Sequence, residues 1–327
     1  MTGPARPLRF AEALNEALRE EMRAHPTVFA LGEDVAVSGG TFGATAGLLE
    51  EFGPARVIDT PISENTIVGA ALGAAMVGAR PVVEIMFFDF ITLAMDQIVN
   101  LGAKIRYMSG GQVRVPCVIR AAFGARYPNG ATHVQSLEAF FLHVPGVKVV
   151  LPSNPADAKG LLKAAIRDDN IVLFLENKGL YLMRDEVPQG DHVVPLGRAR
   201  VAREGTDVTV LAYSAMVQHA LAAAAQLERE GIRAEVLDLR SLVPLDREAI
   251  LASVRKTRRA VVAHEACRRG GPGAELGMLI YEEAFDALDA PVARVGAADV
   301  PVPFSPPLKR QVVPEAEEIA AAVRQLL

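Results

Sequence analysis

Residues 57–81 read VIDTPISENTIVGAALGAAMVGARP: a short strand, a turn, then a helix with almost no polar face. Val57, Ile58 and Asp59 predict the strand. Pro61 and Ser63 predict a turn able to cap a helix whose first turn holds Glu64. Ile67, Val68, Ala70, Ala71, Leu72, Ala74, Ala75, Met76 and Val77 leave so little polar surface that this helix is expected to be buried on several sides. Gly69, Gly73 and Gly78 would let neighbouring backbone approach it. A carboxylate at its mouth is then partly desolvated. Burial favours a neutral carboxyl and the positive end of a helix favours a charged one, so Glu64 is placed to share a proton with a ligand. The same position also suits a carboxylate that closes a cap or meets an interior arginine, and spacing alone leaves both readings open.

The surrounding composition narrows the classes. The chain has 327 residues, half of them hydrophobic, enough for two cores of ordinary size. A net charge of −5 with dispersed basic residues gives no field for nucleic acid. Cys117 and Cys267 form neither a CxxC pair nor a disulfide scaffold, which fits a reducing compartment. Apolar runs are short and broken by Gly, Pro or charge, so no membrane span is expected. The start, MTGPARPLRF, lacks the apolar core of a signal peptide, and a cytoplasmic location is expected.

Along the chain, helical spacing over 8–23 precedes a strand at 28–31, and strands are also expected at 81–86, 115–120, 148–151 and 172–175. Helices are expected at 41–51, 91–106 and 155–167. This alternation predicts an α/β fold with a mostly parallel sheet covered on both faces. Residues 121–136, AAFGARYPNGATHVQS, form a long loop carrying His133; a loop histidine is more often a bystander than a catalyst. Phe87 and Phe88 read first as core packing. Pro, Gly and mixed charge from Glu186 to Glu204 mark a connection, giving two domains at 1–185 and 205–327. The second is a smaller α/β unit with no GxGxxG and no Walker lysine loop. His264-Glu265 reads as a polar pair at a strand end, since no second histidine stands at ligand spacing.

Several stretches in order carry a resemblance: GEDV at 32–35, TPISE at 60–64, YMSGG at 107–111, DAKGLLKAAIRD at 157–168 and AEVLDLRSLVPLD at 234–246. Together they resemble the beta subunit of the thiamin-diphosphate-dependent first component of 2-oxo acid and acetoin dehydrogenase complexes, of the transketolase-like superfamily, over essentially 8–327. The resemblance implies a pyrimidine-binding domain followed by a C-terminal domain through which beta chains pair. It implies that Ile62, Glu64, Met86 and Phe90 lie at the cofactor's aminopyrimidine ring, with Glu64 hydrogen-bonding a ring nitrogen, and that His133 faces the reacting carbon. The family usually follows that histidine with Ser and Gln; here Val134 and Gln135 follow, which removes one hydroxyl from its surroundings. In members that hold potassium, the site matches the backbone oxygens of Cys117, Ala165, Ile166 and Asp168 with the side chain of Asn170. Asp-Asp-Asn after a helix is equally an ordinary turn.

The superfamily anchors the diphosphate through Mg²⁺ with a GDG motif and a later Asn pair. This chain has neither: its one Gly-Asp pair, Gly190-Asp191, is followed by His192. The resemblance therefore implies an alpha subunit holding Mg²⁺ and diphosphate, an α2β2 heterotetramer, and a lipoyl acyltransferase component as acceptor. For the substrate, ENKGLY at 176–181, QSLEAFFLHVPG at 135–146 and PVPFSP at 301–306 look closer to acetoin dehydrogenases than to branched-chain enzymes, with pyruvate dehydrogenases between. The alternatives are a branched-chain 2-oxo acid dehydrogenase beta subunit and a non-catalytic assembly subunit. A nicotinamide dehydrogenase fails on the missing glycine fingerprint.

Overall fold

A computed structural model describes residues 2–125 and 129–327; Arg126, Tyr127 and Pro128 of the His133 loop lie outside the described residues. The chain separates into two compact units, Met1–Phe123 with Phe140–Leu196, and Gly124–Ala139 with Gly197–Leu327. The 124–139 stretch, expected within the first domain, thus belongs to the second unit. Its anchors explain why: the Ala125 N–H donates to the Glu265 carboxylate, and Lys309 Nζ donates to the Ala125 carbonyl at 2.8 Å.

The first unit opens with β1 (Thr2–Arg9), α1 (Phe10–Ala24), β2 (Val28–Gly32), α2 (Leu48–Phe52) and β3 (Val57–Asp59). Next come α3 (Glu64–Met76), β4 (Arg80–Ile85), a helical run ending in α4 (Ile105–Met108), and β5 (Val118–Phe123). After α5 (Ala139–Leu142) it closes with β6 (Lys148–Val150), α6 (Pro155–Arg167), β7 (Val172–Asn177) and β8 (Arg184–Gly190). Six of these strands pair in parallel in the order β6-β7-β5-β4-β2-β3. β5 and β7 are buried at every position, as expected of a sheet covered on both faces. β1 and β8 form a separate antiparallel ribbon. β8 occupies the start of the stretch expected as a connection. Only Val187 in it is buried, so it shows no apolar alternation and owes its strand form to pairing with β1.

Three helical expectations change. The helix expected over 41–51 is confined to α2, with turns over 41–47. The run expected as one helix over 91–106 is a 3₁₀ turn (Phe88–Ala94), a π-helical turn (Gln97–Gly102) and α4. Helix α3 buries Glu64, Ile67, Val68, Ala71, Leu72 and Ala75, but Thr66, Ala70, Gly73 and Val77 lie open along the opposite stripe. Apolar composition alone does not say whether burial is against the same chain or another.

The second unit contains β9 (Arg200–Arg203), β10 (Val208–Ala212), α7 (Ala215–Glu228), β11 (Ala234–Asp238), β12 (Ser241–Val243) and α8 (Arg247–Thr257). It ends with β13 (Ala260–Cys267), α9 (Pro272–Ala284), β14 (Ala293–Ala297), α10 (Pro306–Lys309) and α11 (Ala316–Arg324). Its sheet runs β14-β13-β10-β11-β9, parallel except for β9 at the edge. Val208, Val210, Val217, Val236, Val261, Ile319 and Val323 share its core. Among the described residues no helix is long and apolar enough to cross a membrane.

Candidate active site

In the first sheet the chain steps from β2 outward to β3, then crosses back to β4 on the other side of β2. Connections leave in opposite directions at that point, and in open α/β sheets ligands bind in the crevice beyond the carboxyl ends of such strands. Three loops meet there. The loop after β2 begins with Glu33, the turn after β3 delivers Glu64, and β4 runs into Met86 and Phe87. Gly32 must be glycine, because a Cβ there would stand 2.5 Å from the Glu84 carbonyl oxygen. The Asp59 carboxylate fixes the β2 loop by accepting from the N–H groups of Ala36 at 2.7 Å and Val37 at 3.2 Å.

Glu64 is 7 % exposed, stands in the first turn of α3, and has no hydrogen-bond or ion-pair partner among the described residues. The cap reading and the arginine reading therefore both fall away for the chain by itself. A buried carboxylate without a partner is costly. It also acts on its neighbourhood: burial, then the charge of Glu64, raise the Glu33 carboxyl above its ordinary value. Glu33, although within the GEDV stretch, was assigned no role from sequence; its place at the end of β2 was the available signal.

The 3₁₀ turn packs against α3. Phe88 goes into the core against Phe123 and Phe141, while Phe87 meets Phe90 edge-on at 6.2 Å and lies under the Lys178 ammonium. Of the two rings read as core packing, only Phe88 is core. Met86 and Phe90 are half-buried, and Ile62 is 81 % exposed on the turn before Glu64. An unpartnered carboxylate at a sheet switch point, at the start of a helix against which an aromatic-bearing turn packs, suits a flat heteroaromatic ring that offers a protonatable nitrogen.

A buried layer lies behind these loops. Arg120 on β5 donates from Nη1 to Glu84 on β4 at 2.8 Å, and from Nε and Nη2 to Glu176 on β7 at 2.7 and 2.9 Å. Tyr181 adds its hydroxyl to Glu176 at 2.6 Å and stacks on Phe42. Burial opposes a charged guanidinium, but the charges of Glu176 and Glu84 outweigh it and hold Arg120 protonated. Glu176 and Tyr181 of ENKGLY are thus committed to this layer.

His133 lies in the second unit's 124–139 stretch, so the structure divides the expected catalytic pair between the two units. Thr132 Oγ1 stands 3.0 Å from His133 Nδ1. A hydroxyl one position before the histidine thus contacts its ring, where Val134 after it offers none; sequence reading looked only after the histidine. In the same unit Glu138 is fully buried, with Oε1 accepting from Tyr213 at 2.7 Å and Oε2 without a partner among the described residues. Burial pushes its carboxyl up to about 7. His264 and Glu265 do not pair: His264 Nδ1 lies 3.0 Å from the Ala266 carbonyl oxygen, and burial lowers its imidazole to about 4.

Of the five groups implied for potassium, the Ile166 and Asp168 carbonyls meet at one guanidinium at the C-terminal end of α6. Each of the five already has a partner. Arg80 Nη1 donates to the carbonyls of Ile166 at 2.9 Å and Asp168 at 3.0 Å, and Arg106 donates to Asn170 Oδ1 at 2.5 Å. The Cys117 and Ala165 carbonyls accept from Val172 and Asp168 N–H groups. A monovalent ion here would have to share its oxygens with two guanidinium groups, so the donor set does not fit it and no chemistry is drawn through it. No group of three or more His, Cys, Asp or Glu side chains suited to a metal occurs among the described residues.

Comparison with known proteins matches residues 6–183 to the family "Transketolase, pyrimidine binding domain" and 197–319 to "Transketolase, C-terminal domain". The chain is 49% identical over 325 residues to the pyruvate dehydrogenase E1 component subunit beta-2 of Oryza sativa subsp. japonica, covering 98% of this chain and 86% of that one. The chain belongs to the transketolase-like E1 beta subunits. Two further E1-type beta subunits come from Bacillus subtilis (strain 168). Its acetoin:2,6-dichlorophenolindophenol oxidoreductase subunit beta is 47% identical, over 99% of this chain and 98% of that one. Its 2-oxoisovalerate dehydrogenase subunit beta is 45% identical, over 98% of each. Among solved structures, a split-gene transketolase described as an inactive beta4 tetramer superposes with a TM-score of 0.80 at 29% identity, over 99% of this E1 beta chain and 98% of that one.

Proposed function

We propose that this E1 beta chain works with an alpha subunit in a thiamin-diphosphate-dependent dehydrogenase component that cleaves acetoin or decarboxylates a 2-oxo acid such as pyruvate, passing the acyl group to a lipoyl carrier. One observation carries the reading: Glu64 is a buried carboxylate at a sheet switch point with no partner of its own among the described residues. Thiamin diphosphate, when bound, supplies the electron sink for breaking the carbon–carbon bond beside a carbonyl. Glu64 would hold a proton at its carboxylate against a ring nitrogen of the aminopyrimidine, with Ile62, Met86 and Phe90 beside that ring. His133, oriented at Nδ1 by Thr132, would move a proton through Nε2.

The alpha subunit would hold Mg²⁺ and the diphosphate, since this sequence carries no GDG motif with a later Asn pair. The open stripe of α3, Thr66 to Val77, is an apolar helix face that such a partner would cover. An α2β2 assembly would close the site against water. Of the stretches that pointed to substrate, ENKGLY and QSLEAFFLHVPG spend Glu176, Tyr181, Glu138 and Phe141 on buried contacts, so the assignment of acetoin or pyruvate over branched 2-oxo acids rests on the weaker remainder.

The test is reconstitution with the alpha subunit and an artificial electron acceptor. Glu64→Gln is expected to lower turnover by roughly 10²- to 10⁴-fold with assembly intact. A variant keeping more than about a tenth of the wild-type rate would refute the role of Glu64. Faster turnover of 2-oxoisovalerate than of acetoin or pyruvate would overturn the substrate assignment alone.

A further inference from the structure

The second unit carries an open cavity of about 800 Å³ that includes none of the residues placed in the site above. Four arginines line it from three separate segments: Arg268 and Arg269 before α9, Arg294 on β14, and Arg310 after α10. Two carboxylates share the lining. Asp299 pairs with Arg269 at 3.0 Å, and Glu318 accepts from the Glu315 N–H at 2.9 Å in the cap of α11. Arg294 reaches only the Arg268 carbonyl, at 3.5 Å, and the Arg268 and Arg310 side chains have no hydrogen bond or ion pair among the described residues.

Four guanidinium groups against two carboxylates leave this cavity with two positive charges in excess, in a chain whose net charge is −5. The missing group is an anion. Guanidinium forks match phosphate oxygens two at a time, and the small lining residues Gly270, Gly296, Ala297 and Ala298 leave room for a ligand to approach the wall. The volume falls within the range of small-molecule sites, and the arginines surround a concavity instead of spreading over a flat face. We propose that this cavity binds a small phosphorylated metabolite carrying two or more negative charges, at a site separate from that of the cofactor.

The experiment is calorimetric titration of the full chain with its alpha subunit, first saturated with thiamin diphosphate and Mg²⁺ so that the cofactor's diphosphate site is filled. The probes are inorganic pyrophosphate and ADP. Saturable binding at one site per chain is expected, weakening as salt is raised. Arg294→Gln and Arg310→Gln should each weaken it about tenfold or more while leaving basal turnover unchanged. Arg310 is exposed on a loop, so its variant tests the proposal even if Arg294→Gln fails to fold. Absence of saturable binding by both probes up to about 10 mM overturns the proposal. So does binding that neither substitution weakens, or binding of an oligo-aspartate peptide where both phosphates fail.

Discussion

Replacing Glu138 by Gln should change how the stability of the chain depends on pH. The carboxyl is fully buried, one oxygen accepts from Tyr213, the other has no partner among the described residues, and Glu265 adds a second negative charge nearby. Burial lifts its pKa from 4.5 to about 7. Because the folded value lies above the unfolded one, the stability tied to the neutral form is fully present below pH 4.5 and is lost as pH rises through about 7. A shift of that size corresponds to about 3 kcal/mol. Glutamine keeps the shape and an acceptor for Tyr213 but cannot ionise. The assay is urea unfolding of wild type and variant between about pH 5 and pH 8.5, read as the difference between the two curves, which cancels groups common to both. The variant should gain on wild type by about 2.5 kcal/mol across that window, nearly all of it between about pH 5 and pH 7 and little above. Parallel curves would show that Glu138 does not titrate there and would refute the reasoning.

Three other outcomes are expected. Thr132→Val in the reconstituted assembly should lower turnover by up to about tenfold and shift its pH profile, while Thr132→Ser restores both; a Ser variant as slow as Val would remove the hydroxyl from the account. Arg120→Met leaves Glu84 and Glu176 buried without a counter-charge and should cost about 3–5 kcal/mol in denaturant unfolding, so a loss under about 1 kcal/mol would contradict the buried layer. Purified without its alpha subunit, the chain should bind thiamin diphosphate weakly even with Mg²⁺, and micromolar affinity by calorimetry would reveal an anion site that serves the cofactor.

Much of the first sheet was legible because its strands are continuous apolar runs bounded by turn residues, and β2, β3, β4 and β5 fall close to where alternation puts them. The switch-point position of Glu64 was half legible: TPISE gave the helix start, but only the pairing of β2 with both β3 and β4 shows what the residue faces. Strands β1 and β8 were missed because they pair with each other in a ribbon where most side chains are exposed, and periodicity records burial. Thr132 was missed because only the positions after His133 were read, and Glu138 because its effect depends on a tyrosine that folding brings to it. The apolar circumference of α3 predicted burial on several sides, and periodicity could not say that the stripe from Thr66 to Val77 stays open in the chain by itself.

The excursion of residues 124–139 into the second unit makes that unit discontinuous along the gene. A cut between Leu196 and Gly197 leaves the later piece without Glu138 for Tyr213, without the Ala125 N–H for Glu265 and without the Ala125 carbonyl for Lys309. The piece 197–327 would therefore have a gap where sixteen residues belong. Splitting the gene there would yield halves that need each other to fold, whereas the same cut in a protein of two successive modules would yield two independent products.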